Sequence, residues 1–236
     1  MAPIAGALAE RSRDSAVAIE PVHLHDESLY IDYAAAGGLT TQLCDRVARL
    51  LQHSADCGAE AILFTGSLFS PAVEAARETM EIPVFTAYQA LIERALDRQA
   101  QRGSGILVMA SLQETLDGVA GDFARQAGLR AAVAGAGREG ATRFPGTHPG
   151  THLIPGAFAA LRQGDRDRHD RIVADEVLRV AGEDPRGSIH DPIVLAQFSL
   201  SPVRARLPPE VQERVLTSAG CAADALIALL ARRDGP

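Results

Sequence analysis

Residues 62–71 (ILFTGSLFSP) align without a gap with residues 193–202 (IVLAQFSLSP), 131 positions further along the chain. Each segment begins with a short apolar run and ends in a Ser-Pro pair, which is typical of a buried strand followed by a turn and a helix. The same shift places residues 83–86 on residues 214–217, a second pair of strand-like segments. Two strands that recur in step predict a duplicated α/β domain.

Segments of helical length lie between the apolar runs. One is predicted at 40–56 and ends before Cys57 and Gly58, because glycine tolerates the left-handed turn beyond a helix end. Strands are also predicted at 16–24 and 129–133. Strands that alternate with helices predict parallel sheets covered on both faces.

The predicted fold class is therefore α/β, with two pseudo-symmetric open parallel-sheet domains at residues 1–95 and 96–236. The C-terminal helix, although it follows the second domain in sequence, is a candidate to pack back on the first domain. The second half starts with a predicted strand at 105–110 whose counterpart, 131 residues earlier, would fall before Met1. Either the first domain lacks this leading strand, or the given start lies downstream of a natural one.

The composition is that of a globular protein, with 47% hydrophobic and 22% charged residues among 236. A net charge of −7 and an aromatic content of 4% argue against a nucleic-acid partner. The sequence contains no lysine, which excludes a lysine Schiff base, a lysine-anchored pyridoxal phosphate and a P-loop lysine.

The cysteine pattern and the apolar runs indicate the compartment. Cys44, Cys57 and Cys221 form no CxxC pair, so neither a disulfide framework nor a cysteine-rich zinc site is predicted. The first residues lack the pattern of a secretory signal, and no apolar stretch is long enough to span a membrane. We therefore expect a cytoplasmic protein without a membrane partner.

Gly66 and Gln197 occupy equivalent places in the repeat, just past the carboxyl ends of two predicted strands. Open α/β sheets bind ligands at that edge. If the two domains face each other across a pseudo-two-fold axis, the site lies in the cleft between them. These two positions would then face opposite sides of one small molecule.

Six short motifs follow one another along nearly the whole chain. They are residues 25–29 (HDESL), 37–40 (GGLT), 59–76 (AEAILFTGSLFSPAVEAA), 110–115 (ASLQET), 193–200 (IVLAQFSL) and 215–218 (VLTS). In this order they resemble the aspartate/glutamate/hydantoin racemase superfamily, which also contains arylmalonate decarboxylase. The resemblance implies two pseudo-symmetric α/β domains with the site between them. It also implies proton transfer, without a cofactor, at the carbon α to a carboxylate.

In that family one cysteine thiolate removes a proton and a second, opposite thiol delivers one. The resemblance matches these cysteines to Gly66 and Gln197, neither of which titrates near neutral pH, so the two-thiol mechanism cannot operate here. Two other residues are candidates for the missing acid or base. His152 carries an imidazole, a side chain that often serves as a general base in enzymes, and Cys221 stands near the predicted start of the last helix, where the pKa of a thiol is lowered. Cys221 is equally explained as a small buried hydrophobic residue.

Several hydroxyl residues match, or lie beside, places where relatives bind the substrate carboxylate. Hydroxyls and backbone N–H groups at strand ends and helix N-termini can bind an anion or stabilise an enediolate. The alternative is that the same residues cap helices. They are Thr65, Ser67, Ser111, Thr115, Ser199, Thr217 and Ser218.

Two histidine pairs have the residue types of a metal site. His148 and His152 are four residues apart, but an intervening Pro-Gly pair places them in a predicted loop. His23 and His25 share one face of a predicted strand end beside Asp26, which is typical of a surface cluster. We therefore predict neither a metal nor a cofactor.

Three functions stay open at this point. The first is a cofactor-independent, racemase-like isomerase that acts on a small carboxylate with a relocated acid or base. The second is a decarboxylase, because Gly66 would leave space for a bulkier malonate-type substrate. The third is a catalytically inactive, carboxylate-binding member of the family. Because members often pair, the resemblance also implies a homo-oligomer.

Overall fold

The computed structural model describes residues 2–13, 15, 17–135 and 149–233. The chain divides into two compact units, one formed by Met1–Gln89 together with Ala222–Pro236 and the other by Ala90–Cys221. Both divisions fall within helices. No helix among the described residues is long and apolar enough to cross a bilayer.

The first unit contains a short parallel sheet of two strands. Its elements are α1 (Ala2–Ser12), α2 (Ser28–Ala36), α3 (Thr41–Asp56), β1 (Ile62–Leu63), a 3-10 helix (Ser67–Phe69), α4 (Ser70–Arg77) and β2 (Val84–Phe85). Helix α5 (Gln89–Arg102) then leads into the second unit.

Helix α3 shows how the sequence sets these elements. It begins where the Thr40 hydroxyl accepts a hydrogen bond from the backbone N–H of Leu43, over 3.3 Å. Leu43, Val47 and Leu51 recur every fourth residue, and all three are buried in the core of this unit with Phe69 and Val73. Beyond the last turn, Gly58 adopts a φ of +88°, which favours glycine. The helix predicted at 40–56 is confirmed.

The second unit contains four parallel strands in the order β4-β3-β5-β6. Its elements are β3 (Gly105–Ala110), α6 (Gln113–Gly135), β4 (Gly150–Leu153), α7 (Ala157–Arg162), α8 (Arg166–Glu183), β5 (His190–Leu195), a 3-10 helix (Phe198–Arg206), α9 (Pro209–Gln212), β6 (Val215–Thr217) and α10 (Ser218–Arg233). From Ala222 onward, α10 belongs to the first unit.

The strand ladders repeat with the spacing seen in the sequence. In the first unit Ile62 pairs with Val84, and 131 residues later Ile193 pairs with Val215. The next pair on each ladder is related by the same shift. In the second unit β5 also pairs with β3, whereas β1 pairs only with β2 among the described residues. The described part of the first unit therefore has no counterpart of β3.

Two strand predictions are wrong. Residues 17–24 form no strand, because Pro21 lacks a backbone donor and side chains such as Val22, which is 88% exposed, are not packed into a sheet. Residues 129–133 continue helix α6 to Gly135. Arg130 anchors that turn to α5 through Asp97 Oδ1 at 2.6 Å, and the alanines around it favour a helix.

Candidate functional site

Polar side chains gather where neighbouring strands of the second unit end. Ser111 follows β3, Gln197 follows β5 by two residues, and Thr217 and Ser218 lie at the junction of β6 with α10. Because β3, β5 and β6 are adjacent and parallel, their carboxyl ends meet at one edge of the sheet. The structure therefore brings together four of the residues that the sequence singled out.

Ser111 holds the side chain of Gln197 in one orientation. Gln197 Oε1 accepts a hydrogen bond from the backbone N–H of Ser111 at 2.6 Å and another from its hydroxyl at 2.8 Å. Since a backbone N–H can only donate, the atom of Gln197 that faces it must be the carbonyl oxygen. The two amide N–H donors of Gln197 therefore have no protein partner within the described part of the chain.

The hydroxyls at the end of β6 have backbone partners. The Ser218 hydroxyl donates to the carbonyl of Leu195 at 3.2 Å, and Thr217 Oγ1 accepts from the N–H of Gly220 at 3.1 Å. Both residues are buried. These bonds join β6 to β5 and cap the first turn of α10. Here the capping interpretation is realised, although a residue that caps a helix can also contact a ligand.

Ser201 is a member of this edge that the analysis of the sequence missed. Its hydroxyl accepts a hydrogen bond from the N–H of Ala219, at 3.2 Å, at the start of α10. Its counterpart in the repeat, Ser70, instead donates to the carbonyl of Ser67 at 2.9 Å. The Ser-Pro pair shared by residues 70–71 and 201–202 was the signal that could have found it.

The other predicted hydroxyl residues lie on separate elements. Thr65 is exposed after β1, Ser67 starts the first 3-10 helix, Thr115 lies in the first turn of α6, and Ser199 is half-buried in the second 3-10 helix. Their role in binding a carboxylate stays a prediction.

Position 66 is crowded. A Cβ atom placed on Gly66 would lie 2.8 Å from Phe64 Cε1, 3.1 Å from the Tyr30 hydroxyl and 3.3 Å from Phe69 Cδ2. The expectation that Gly66 leaves space for a bulkier substrate is therefore wrong. Aromatic side chains of the first unit itself occupy that space, and sequence spacing carried no sign of this.

His152 lies in β4 rather than in a loop, in register with Met109 of β3. Its Nε2 atom lies 2.6 Å from Glu176 Oε1 on α8. A hydrogen bond from Arg179 lowers the pKa of Glu176, and the contact with His152 acts in the same direction. Glu176 is thus an ionised partner that orients the imidazole. A role of His152 in proton transfer stays a prediction.

Cys221 is buried, with 7% of its surface exposed, in the first turn of α10. Its role as an acid or base likewise stays a prediction. Within the described ranges, no group of three or more His, Cys, Asp and Glu side chains has the arrangement of a metal site. His148 lies outside the described residues, and His23 and His25 are exposed.

A cavity of about 690 Å³ lies along α2 and α3. The charge of Arg46 at its edge is already compensated, because Asp26 and Asp32 each lie 2.6 Å from the guanidinium group. Arg49 also lines the cavity, but it is exposed, so water and salt would screen its attraction for a carboxylate. The strand-end edge, with its amide donors, is the better candidate.

We predict that S111A lowers the free energy of unfolding by about 1 kcal/mol, because one hydrogen bond to Gln197 is lost while the backbone N–H keeps the other. Urea denaturation measures the change. S199A, which removes a half-buried hydroxyl with no hydrogen bond among the described residues, serves as the control. Equal stability of S111A and the wild type would show that the Ser111–Gln197 contact does not hold the edge together.

Comparisons with known structures show what this fold resembles. The allantoin racemase of Klebsiella pneumoniae superimposes with a TM-score of 0.57 at 16% identity, over 98% of this chain and 84% of that one. The glutamate racemase isoform RacE1 of Bacillus anthracis superimposes with a TM-score of 0.54 at 13% identity, over 99% and 78%. Identities this low establish the fold alone, and the predicted α/β class is confirmed.

The family is shown by sequence. No curated protein matches the chain significantly. The family model for Asp/Glu/hydantoin racemases, however, matches residues 3–226, which is nearly the whole chain. This protein therefore belongs to the Asp/Glu/hydantoin racemase family.

Proposed function

We propose that the protein binds a small carboxylate at the strand-end edge of its second unit and catalyses proton transfer, without a cofactor, at the carbon α to that carboxylate. The observation that carries this is the fixed orientation of Gln197. Ser111 occupies its carbonyl oxygen with two hydrogen bonds, so its amide group is left to donate. One N–H of this amide can donate to an oxygen of a carboxylate, and the second N–H, which points in a different direction, can donate to another acceptor.

The same donors favour the intermediate of proton transfer. Removal of the α-proton converts the carboxylate into an enediolate, which concentrates negative charge on its oxygens. Donors fixed before the reaction stabilise that charge without reorganising. Gln197 itself neither gives nor takes a proton, so another group must do so.

Incubation in deuterated water tests the proposal. Allantoin and 5-substituted hydantoins, which carry no carboxylate, serve as comparison compounds. The purified protein is incubated with each enantiomer of aspartate and glutamate, while proton NMR follows the α-proton signal. We expect exchange of at least one of these carboxylates above the rate seen with heat-denatured protein. A folded protein that exchanges none of them contradicts the proposed catalysis.

A carboxylate-binding protein without catalysis is the second candidate, because neither Gly66 nor Gln197 carries a titratable side chain. Calorimetric binding of a carboxylate without exchange would favour it. The variant G66C/Q197C then restores thiols at the two family positions. G66A is its control, since a side chain at position 66 requires the ring of Phe64 to move. If G66C/Q197C is active and the wild type is not, the fold of the racemase family is intact and the natural protein lacks only the catalytic thiols.

The crowding at position 66 removes the argument for a decarboxylase, so we do not propose that activity. The cytoplasmic location and the homo-oligomer remain proposals, which the family membership supports by analogy. Light scattering on the eluting peak of a sizing column measures the oligomeric state.

A further inference from the structure

The last turn of helix α3 carries two metal-ligating side chains on the surface of the first unit. His53 lies in this turn and Cys57 caps it, and side chains four residues apart on a helix share one face. Cys57 Sγ and His53 Nε2 are 3.8 Å apart. Both residues are exposed, so ions in the solvent can reach the pair. The proposed reaction uses neither of them.

The separation of these two atoms fits one metal ion bound to both. Zn²⁺ binds a cysteine sulfur at about 2.3 Å and a histidine nitrogen at about 2.0–2.1 Å. With these bond lengths, atoms 3.8 Å apart enclose an angle of about 120° at the ion. Tetrahedral coordination requires about 110°, so the two side chains need to approach each other by only a few tenths of an ångström.

The charges at this end of the helix favour a cation. The last carbonyl groups of a helix carry a partial negative charge, and Asp56, which precedes Cys57, adds an exposed carboxylate. Arg49 lies one turn earlier and opposes this attraction, but it is exposed and therefore screened. The same partial charge disfavours a free thiolate, which is stabilised at the opposite end of a helix. The position of Cys57 therefore suits a metal-bound sulfur better than a free nucleophile.

We propose that Cys57 and His53 form a surface site for a divalent cation of the Zn²⁺ type. A thiolate and an imidazole together select such metals over Mg²⁺ and Ca²⁺, which prefer oxygen ligands. On binding, the S–H bond of Cys57 breaks, its electron pair forms the bond to the metal, and the proton passes to the solvent. The imidazole binds through the lone pair of Nε2. Among the described residues no third side chain of these types completes the group, so water supplies the remaining ligands.

Titration with Co²⁺ tests the site, because a thiolate bound to Co²⁺ gives a charge-transfer absorption band in the near ultraviolet. The purified protein is titrated in the presence of a phosphine reductant that carries no thiol. We expect a band that saturates at one Co²⁺ per chain and disappears when Zn²⁺ is added in competition. Because binding releases a proton, the apparent affinity should fall as the pH is lowered.

Four variants assign the ligands. C57S should remove the band, and H53A should weaken Co²⁺ binding at least about tenfold, since even a change around a metal ligand can cost this much. C44S removes a half-buried thiol of the same helix, and H25A removes another exposed imidazole of the same unit. Both controls should bind Co²⁺ within about twofold of the wild type, because changes away from a site have small effects.

Three results would overturn the proposal. The first is a wild type without the thiolate band, and the second is a C57S variant that keeps it. The third is an H53A variant that binds Co²⁺ as tightly as the wild type, because the thiol would then act without the imidazole. Zn²⁺ should also raise the thermal unfolding midpoint of the wild type and leave that of C57S unchanged. The midpoints without metal show that both surface variants remain folded.

Discussion

The D184N variant is expected to lose about 3 kcal/mol of unfolding free energy, among the largest effects of a single substitution in this chain. Asp184 follows α8 and is only 6% exposed. Its Oδ1 accepts from the N–H and hydroxyl of Ser188, and its Oδ2 accepts from the N–H groups of Ile189 and His190, all between 2.9 and 3.0 Å. Arg214 lies 3.4 Å from Oδ2. An asparagine cannot accept all of these bonds, since its amide nitrogen is a donor.

Loss of the Asp184 carboxylate should destabilise the start of strand β5. The four donors lie in the loop that enters β5, and Arg214, which precedes β6, also donates to the carbonyls of Asp184 and His190. One carboxylate thus ties the end of α8 to the starts of two adjacent strands. Urea denaturation measures the effect. D175N, an exposed change on the same helix, is the control and should lie within about 0.5 kcal/mol of the wild type.

The stabilisation by Asp184 should depend on pH in a defined window. Burial alone would raise the pKa of Asp184, but the hydrogen bonds from His190, Ile189 and Ser188 outweigh it and lower the pKa from 3.8 to about 2. Because the folded-state pKa is depressed, the contribution is complete above 3.8 and is lost as the pH falls through about 2. The difference between the wild type and D184N should therefore shrink over this range. A difference that stays constant would contradict the assignment to the carboxylate.

Q197E is expected to weaken binding of the carboxylate identified by the exchange panel by at least about 100-fold, or about 2.7 kcal/mol. A glutamate can still accept both hydrogen bonds from Ser111, so the local geometry is kept. The amide donor that would face the ligand becomes a carboxylate oxygen. A donor is thereby lost and like charges are brought together. Isothermal titration calorimetry measures the change.

Q163E is the matched control for Q197E. Gln163 is exposed at the end of α7 in the same unit. Its substitution by glutamate therefore adds the same charge but leaves the residues at the strand-end edge unchanged. It should change the affinity by less than about twofold at physiological ionic strength. Equal affinities of Q197E and the wild type would show that Gln197 does not face the ligand, and the proposed site would have to be abandoned.

Much of the fold could be predicted because its signals are local. The apolar runs at 62–65 and 193–196 predicted β1 and β5, and the shift between them predicted the common register of the two ladders. Predictions failed where local pattern and tertiary context disagree. Residues 129–133 look like a short strand, but they continue a helix that Arg130 anchors to α5. Residues 17–24 have an apolar pattern and no sheet partner among the described residues.

The candidate site was predicted only in outline. The positions just past strand ends were identifiable, because strand ends follow from the apolar runs and ligands of open α/β sheets bind there. The closeness of Tyr30 to Gly66 was missed, because no motif relates the two and they meet only through the packing of α2 against Phe69. The hydrogen bond between Ser111 and Gln197 was missed for the same reason, since 86 residues separate them.

The sequence by itself determined the α/β class, the duplicated strand pair and the absence of cysteine at positions 66 and 197, because apolar pattern and residue identity are properties of short segments. The tertiary structure alone decided which atoms stand at those positions. In the structure the carbonyl oxygen of Gln197, and not its amide nitrogen, faces Ser111. Aromatic rings and the Tyr30 hydroxyl occupy the space beside Gly66. Both depend on side chains that are distant along the chain and meet only when the elements pack.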